Sequence, residues 1–234
     1  MIGNLKAVEV ETDTEQRLPE MSVEVASSGS KQESSATHGR ANSVSLRNRI
    51  AGAVFVSIVL AAQTRWMGPP IILLSGGLVV SYGVWVAARW RNDAAAVLPI
   101  YLLAIAVQCL HFTEEYLTGF QHQFPRLFGN DWSDARFVTF NMLWLAAFVL
   151  AGLGVYRRIQ LAYLIVLFLA IIGGVGNGTS HLVLSATYRR YFPGLITAPF
   201  CLLVGILLLT RLFAGTLAPQ ERRNERATTH TLVP

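Results

Sequence analysis

Six long apolar runs divide this 234-residue chain, roughly 50–67, 70–88, 94–113, 137–156, 159–184 and 195–213. Polar residues gather between the runs rather than alternating with apolar ones inside them. A helix needs about 20 apolar residues to cross a bilayer, and about 17 can suffice. The pattern therefore predicts an all-α, polytopic transmembrane helix bundle of about six spans, occupying residues 46–215. The first run is the weakest, because Gln63, Thr64 and Arg65 cut it short. Pro70, Pro99 and Pro199 fall near the starts of runs, where the missing proline N–H costs least.

The two ends lie outside this pattern. Residues 1–45 are rich in Ser, Glu, Thr and Gly and carry no sustained apolar period, as in a disordered polar tail. The first apolar run begins only near Ile50, so it is expected to be a retained span rather than a cleaved leader. Residues 216–234 are polar and basic and predict a loose tail.

Composition agrees with a membrane protein. Charged residues make up 14% of the chain, against roughly 25% in soluble domains. Residues 1–45 hold seven acids and four bases, net −3, and residues 46–234 hold seven acids and fifteen bases, net +8. The bases are scattered between apolar runs, unlike a nucleic-acid surface, so no nucleic-acid partner is expected. Cys109 and Cys201 both lie in apolar runs, where a thiol acts as a small hydrophobe.

Arginine placement sets the expected topology. With the N-terminus inside, Arg40, Arg47, Arg49, Arg89, Arg91, Arg157, Arg158, Arg211, Arg222, Arg223 and Arg226 lie inside. Arg65, Arg126, Arg136, Arg189 and Arg190 lie outside, eleven against five. The expectation is a multi-pass cell-membrane protein with both termini cytoplasmic. The third and fifth spans then end, and the sixth begins, at the outer face.

That geometry matters because chemistry clusters at those ends. His111-Phe112-Thr113-Glu114-Glu115 closes the third run. Charged groups in a span are costly and usually serve a site. On a helix His111 neighbours both glutamates, which stand about 100° apart, so one can point inward while the other flanks it. Imidazole with carboxylate suits a divalent transition metal, or metal-free acid–base work. The plain alternative is a wet helix end. Asn177-Gly178-Thr179-Ser180-His181 follows the glycine-rich run 173–178, which permits close helix packing or an unwound turn beside a cavity. Tyr191-Phe192-Pro193-Gly194 predicts a type II turn before the last span, with Gly194 at positive φ. The loop 116–136, with Phe120, Phe124, Phe128 and Trp132, is expected to lie on the membrane surface over the site. His122 within it reads as an exposed loop histidine.

Taken together, His111 to Glu115, Asn177 to His181 and Tyr191 to Gly194 resemble, in order, the motifs of a family of prokaryotic integral membrane proteins named for its His-x-x-Glu-Glu motif. The resemblance covers about residues 95–215. Its polar motifs imply an enzyme and name no reaction.

The leading expectation is a membrane enzyme that hydrolyses a lipid or other apolar substrate. His111, Glu115 and His181 would hold a divalent metal such as zinc, since His₂Glu is a known catalytic zinc set. Glu114 would act as general base, with His111 and Glu115 completing the catalytic group. Asn177 and Tyr191 would contact substrate. The rivals are a metal-free acid–base lipid isomerase and a proton-coupled transporter or small-ligand binder. The oligomeric state stays open.

Overall fold

The computed structural model describes residues 43–88, 90 and 94–230. The polar tail expected over residues 1–45 lies almost wholly outside the described residues. Among the described residues seven helices form: α1 (Leu46–Met67), α2 (Ile71–Ala87), α3 (Ala94–Thr118), the short α4 (Phe120–Arg126), α5 (Asp134–Tyr156), α6 (Ala162–Tyr188) and α7 (Ala198–His230). No sheet forms among the described residues. The fold is an all-α transmembrane helix bundle. By length and composition α1, α3, α5 and α6 can each cross a membrane, and α2 and the segment Ala198–Ala214 of α7 are shorter apolar helices.

Local sequence sets the boundaries. Ser45 caps α1, its Oγ accepting from Asn48 N at 3.3 Å, and Ser133 caps α5 through Arg136 N at 3.3 Å. These caps satisfy N–H groups that a helix start leaves open. The polar step in the first run does not break α1, because Gln63 accepts from Ser75 Oγ on α2 at 2.7 Å. Two expected limits move. α3 runs past residue 113 to Thr118, so the whole His-x-x-Glu-Glu motif is helical. α7 continues beyond 213 to His230, where a loose tail was expected. Gln220, Glu221, Arg222, Arg223 and Glu225 are all good helix formers.

Side chains sort as a bilayer requires. On α3, Val97, Tyr101, Ala104, Gln108, His111 and Glu115 are buried at alternating steps of four and three. Leu102, Leu103 and Leu110 face outward. The same helix thus turns Gln108, His111 and Glu115 inward and these leucines outward.

The tightest packing is a glycine seam between α6 and α7. Gly174 and Gly178 are one turn apart, and a Cβ on Gly174 would lie 2.5 Å from Gly205 Cα. A Cβ on Gly178 would lie 2.6 Å from Ala198 O and 2.7 Å from Leu202 N. Small residues four apart let backbones touch in this way. Within α6, Leu169–Gly176 takes π-helical hydrogen bonding. Such wide turns are often found at functional sites. Together the seam and the wide turn aim the end of α6 at the ends of α3 and α7.

Gly205→Ala is expected to lower the thermal midpoint of the detergent-purified protein, at a cost of about 1–3 kcal/mol from overpacking. Gly76→Ala, where a Cβ meets nothing within 4 Å, is the matched control and should leave the midpoint unchanged or raised. Equal midpoints for the two variants in a melt followed by tryptophan fluorescence would refute the seam.

Candidate metal centre

Three distant motifs meet at one end of the bundle. His111, Glu115 and His181 are buried, at 0, 3 and 1% exposure. One donor atom from each lies within 4.8 Å of the others. Glu115 Oε1 stands 3.4 Å from His111 Nε2 and 3.1 Å from His181 Nε2. The two imidazoles meet edge to face, with centroids 4.7 Å apart. Glu115 is therefore the inward carboxylate of the pair and Glu114 the flanking one.

Glu114 is held by four donors. Its Oε1 accepts from Tyr191 Oη at 2.6 Å and Ile196 N at 2.8 Å. Its Oε2 accepts from Thr197 N at 2.8 Å and from the Thr197 hydroxyl. This carboxylate latches the 191–197 turn to α3. The arrangement departs from the general-base role expected of Glu114, because its lone pairs are already engaged. Partial burial and the Glu114 carboxylate raise the Tyr191 phenol above its ordinary value, so the hydroxyl stays a donor. Tyr191 was expected to contact substrate, but its hydroxyl is committed to the latch.

The network assigns a tautomer to His111. Its Nδ1 lies 2.7 Å from Thr197 Oγ1. The single Thr197 hydroxyl proton goes to Glu114 Oε2, so His111 Nδ1–H must donate to the Thr197 oxygen. A neutral His111 then presents a bare lone pair at Nε2. That nitrogen is buried without a hydrogen-bond partner and faces a carboxylate oxygen. Facing a carboxylate, that nitrogen needs a cation, either a proton on the ring or a metal ion between the two groups.

Asn177 positions His181, its Oδ1 lying 3.2 Å from His181 Nε2. It also lines a cavity of about 60 Å³ between α3, α5 and α6, together with Glu115, Gln108 and Asn141. Most of the remaining wall is aromatic, including Phe120, Phe137, Phe140, Trp144, Phe148 and Phe168.

The turn expected at Tyr191–Gly194 is present. Leu195 N donates to Phe192 O at 3.1 Å, and Gly194 has φ +92°. Gly194 also lies against both imidazoles. A Cβ there would stand 2.5 Å from His181 Cε1 and 2.9 Å from His111 Cε1. The loop expected on the membrane surface instead folds inward, since Phe120, Phe124 and Trp132 are buried. Trp132 Nε1 donates to Met67 O at 2.7 Å, which ties the loop to the end of α1. His122 stays away from the centre, between Asp131 at 3.0 Å and Asp134 at 3.3 Å. The hydrogen bond from His122, with Arg126 nearby, lowers the Asp131 carboxyl below its usual range.

Sequence reasoning missed Thr197, Gln108, Asn141 and the aromatic wall of α5. Thr197 carries no pattern signal, because only the fold brings it to His111. Asn141 does carry one: it is an isolated amide inside an apolar run.

Gly194→Ala should lower the thermal midpoint more than Gly129→Ala. Both need positive φ, but a Cβ on Gly129 meets nothing within 4 Å. Strain of this kind costs on the order of 1–3 kcal/mol, and the difference between the two melts reads the clash with the imidazoles. Equal shifts would mean that the turn does not touch them.

No curated protein and no solved structure matches the chain. Residues 102–209 match the model of a family described as proteins of unknown function with an HXXEE motif. All three motifs fall inside that stretch, and it is an HXXEE-motif domain.

Proposed function

We propose that this protein is a membrane enzyme in which His111, Glu115 and His181 hold a divalent metal such as zinc for hydrolysis of a lipid or apolar substrate. The observation that carries the reading is His111 Nε2, buried without a hydrogen-bond partner and 3.4 Å from Glu115 Oε1. Two ligands at zinc bond lengths of about 2.0–2.1 Å, set tetrahedrally, lie about 3.3 Å apart. The 3.4 and 3.1 Å separations fit that spacing, with His181 Nε2 giving up to a bound metal the proton that it shares with Glu115 and Asn177 Oδ1. The Glu114–Thr197–His111 chain is the outer support that metal-bound histidines usually have. Zinc in such a set supplies a Lewis acid that polarises a carbonyl and acidifies water. In hydrolysis a water oxygen joins the acyl carbon, the acyl C–O or C–N bond breaks, and an acid and an alcohol or amine leave. Before metal binds, Asn177 holds the His181 ring toward Glu115, while the aromatic wall excludes bulk water and takes the apolar part of the substrate.

A second reading keeps the same residues without metal. His181 Nε2 lies 3.1 Å from Glu115 Oε1, close enough to share a proton, which suits an acid–base isomerase.

Metal analysis separates the two readings. The purified full chain, exposed to zinc and washed, should retain about one ion per chain. Glu115→Gln and His111→Ala should drop this at least tenfold, whereas Arg126→Gln, at an exposed ion pair with Asp131, should not. Wild type without retained metal would refute the metal centre and leave the isomerase.

The arginine bias, eleven against five, supports both termini inside and the site at the outer face. A fluorescent protein fused to the C-terminus should glow, and alkaline phosphatase inserted at 127–133 should be active. The opposite pattern would invert the topology.

A further inference from the structure

We propose that the cavity beside Glu115 binds a neutral, single-chain acyl ester or amide, with Asn141 hydrogen-bonding its polar head. The proposal rests on the hydrolytic reading only for where the reacting bond would lie. Asn141 is 4% exposed, and its Nδ2 has no hydrogen-bond partner among the described residues. A buried amide left unpaired costs roughly 1–3 kcal/mol. It faces the cavity that Glu115 and Asn177 also line. A ligand oxygen is the natural partner for its N–H.

Charge selects the class. Among the described residues, the cavity wall contains no Lys or Arg, and its one ionisable group is Glu115. With no metal at the centre, a phosphate or free carboxylate would enter without a counter-ion and next to an anion. A neutral carbonyl meets neither difficulty, and Asn141 can donate to it.

Shape selects the chain. Phe140 and Trp144 line the inner cavity and also border a second, more open hollow of about 280 Å³. That hollow runs between α5 and α1, whose Phe55, Val59, Ala62 and Trp66 complete it. The head would occupy the small inner cavity, and the chain would run past Phe140 and Trp144 into the outer groove.

Binding is read by tryptophan fluorescence of the full chain in nanodiscs with EDTA present. Metal is then irrelevant, and failure here is distinct from failure of the metal centre. The probes are methyl palmitate, methyl hexanoate, palmitamide, hexadecane and hexadecyl phosphate. Comparing variants for one probe cancels its partitioning into lipid. Asn141→Leu should weaken palmitamide and methyl palmitate roughly tenfold and leave hexadecane unchanged. It should also raise the thermal midpoint, because an unpaired amide is removed. Asn141→Ala carries the same binding expectation and serves if leucine does not fit. Ala62→Trp, at an exposed groove position, should weaken methyl palmitate and spare methyl hexanoate. Unchanged ester binding in both Asn141 variants, or tightest wild-type binding for hexadecyl phosphate, would overturn the proposal. Equal response of both esters to Ala62→Trp would overturn the path of the chain.

Discussion

Backbone contact between α6 and α7 is the constraint on which the site depends. Gly174 and Gly205 approach so closely that neither position has room for a methyl group. In a bilayer, lipid tails are as apolar as leucine, so helices gain little from hiding apolar surface against one another. Close van der Waals contact is what remains, and small residues make it possible. Because α6 lies this near α7, His181 reaches the turn before α7 at Gly194. Because Glu114 grips that turn, the turn is fixed to α3. The three motifs are thus coupled through packing before any ion or substrate enters the argument.

The two adjacent glutamates divide the work. Glu114 accepts four hydrogen bonds and organises backbone. Glu115 turns one oxygen toward two imidazoles. The separation of roles follows from the 100° step of the helix, which puts neighbours on different faces. Thr197 joins the two halves, since its hydroxyl gives its proton to Glu114 and its oxygen accepts from His111. The state of one carboxylate thereby dictates which nitrogen of His111 is free.

Much of this was legible from residue order. The apolar runs marked the spans, and the spacing of His111 and Glu115 put them on one helical face. The alternation of spans brought the motif ends to one side of the bundle. Other features had no readable mark. The π-helical stretch depends on hydrogen-bond register, which glycine content permits without specifying. Thr197 looks like any threonine in an apolar run. Helix ends were short in the reading because Glu114, Glu115 and the polar residues after Phe213 resemble exits from a membrane, while helix formers carry the backbone onward. Asn141 was detectable by the reasoning that singled out His111, since both are polar groups in an apolar run.

The wide turn at Leu169–Gly176 bears on how relatives of this domain are compared. Each turn of π pairing takes up about one residue more than an α turn, so a relative that lacks one residue there keeps nearly the same orientation beyond it through ordinary α pairing. Asn177 and His181 would then stay at the centre, whereas one residue lost from an α-helical stretch would turn them away by about 100° with every motif still spelled correctly and in order. Motif presence is therefore an incomplete criterion for an assembled site. Spacing between motifs is a second criterion, and the segment between Phe168 and Asn177 is where a difference of one residue can be absorbed.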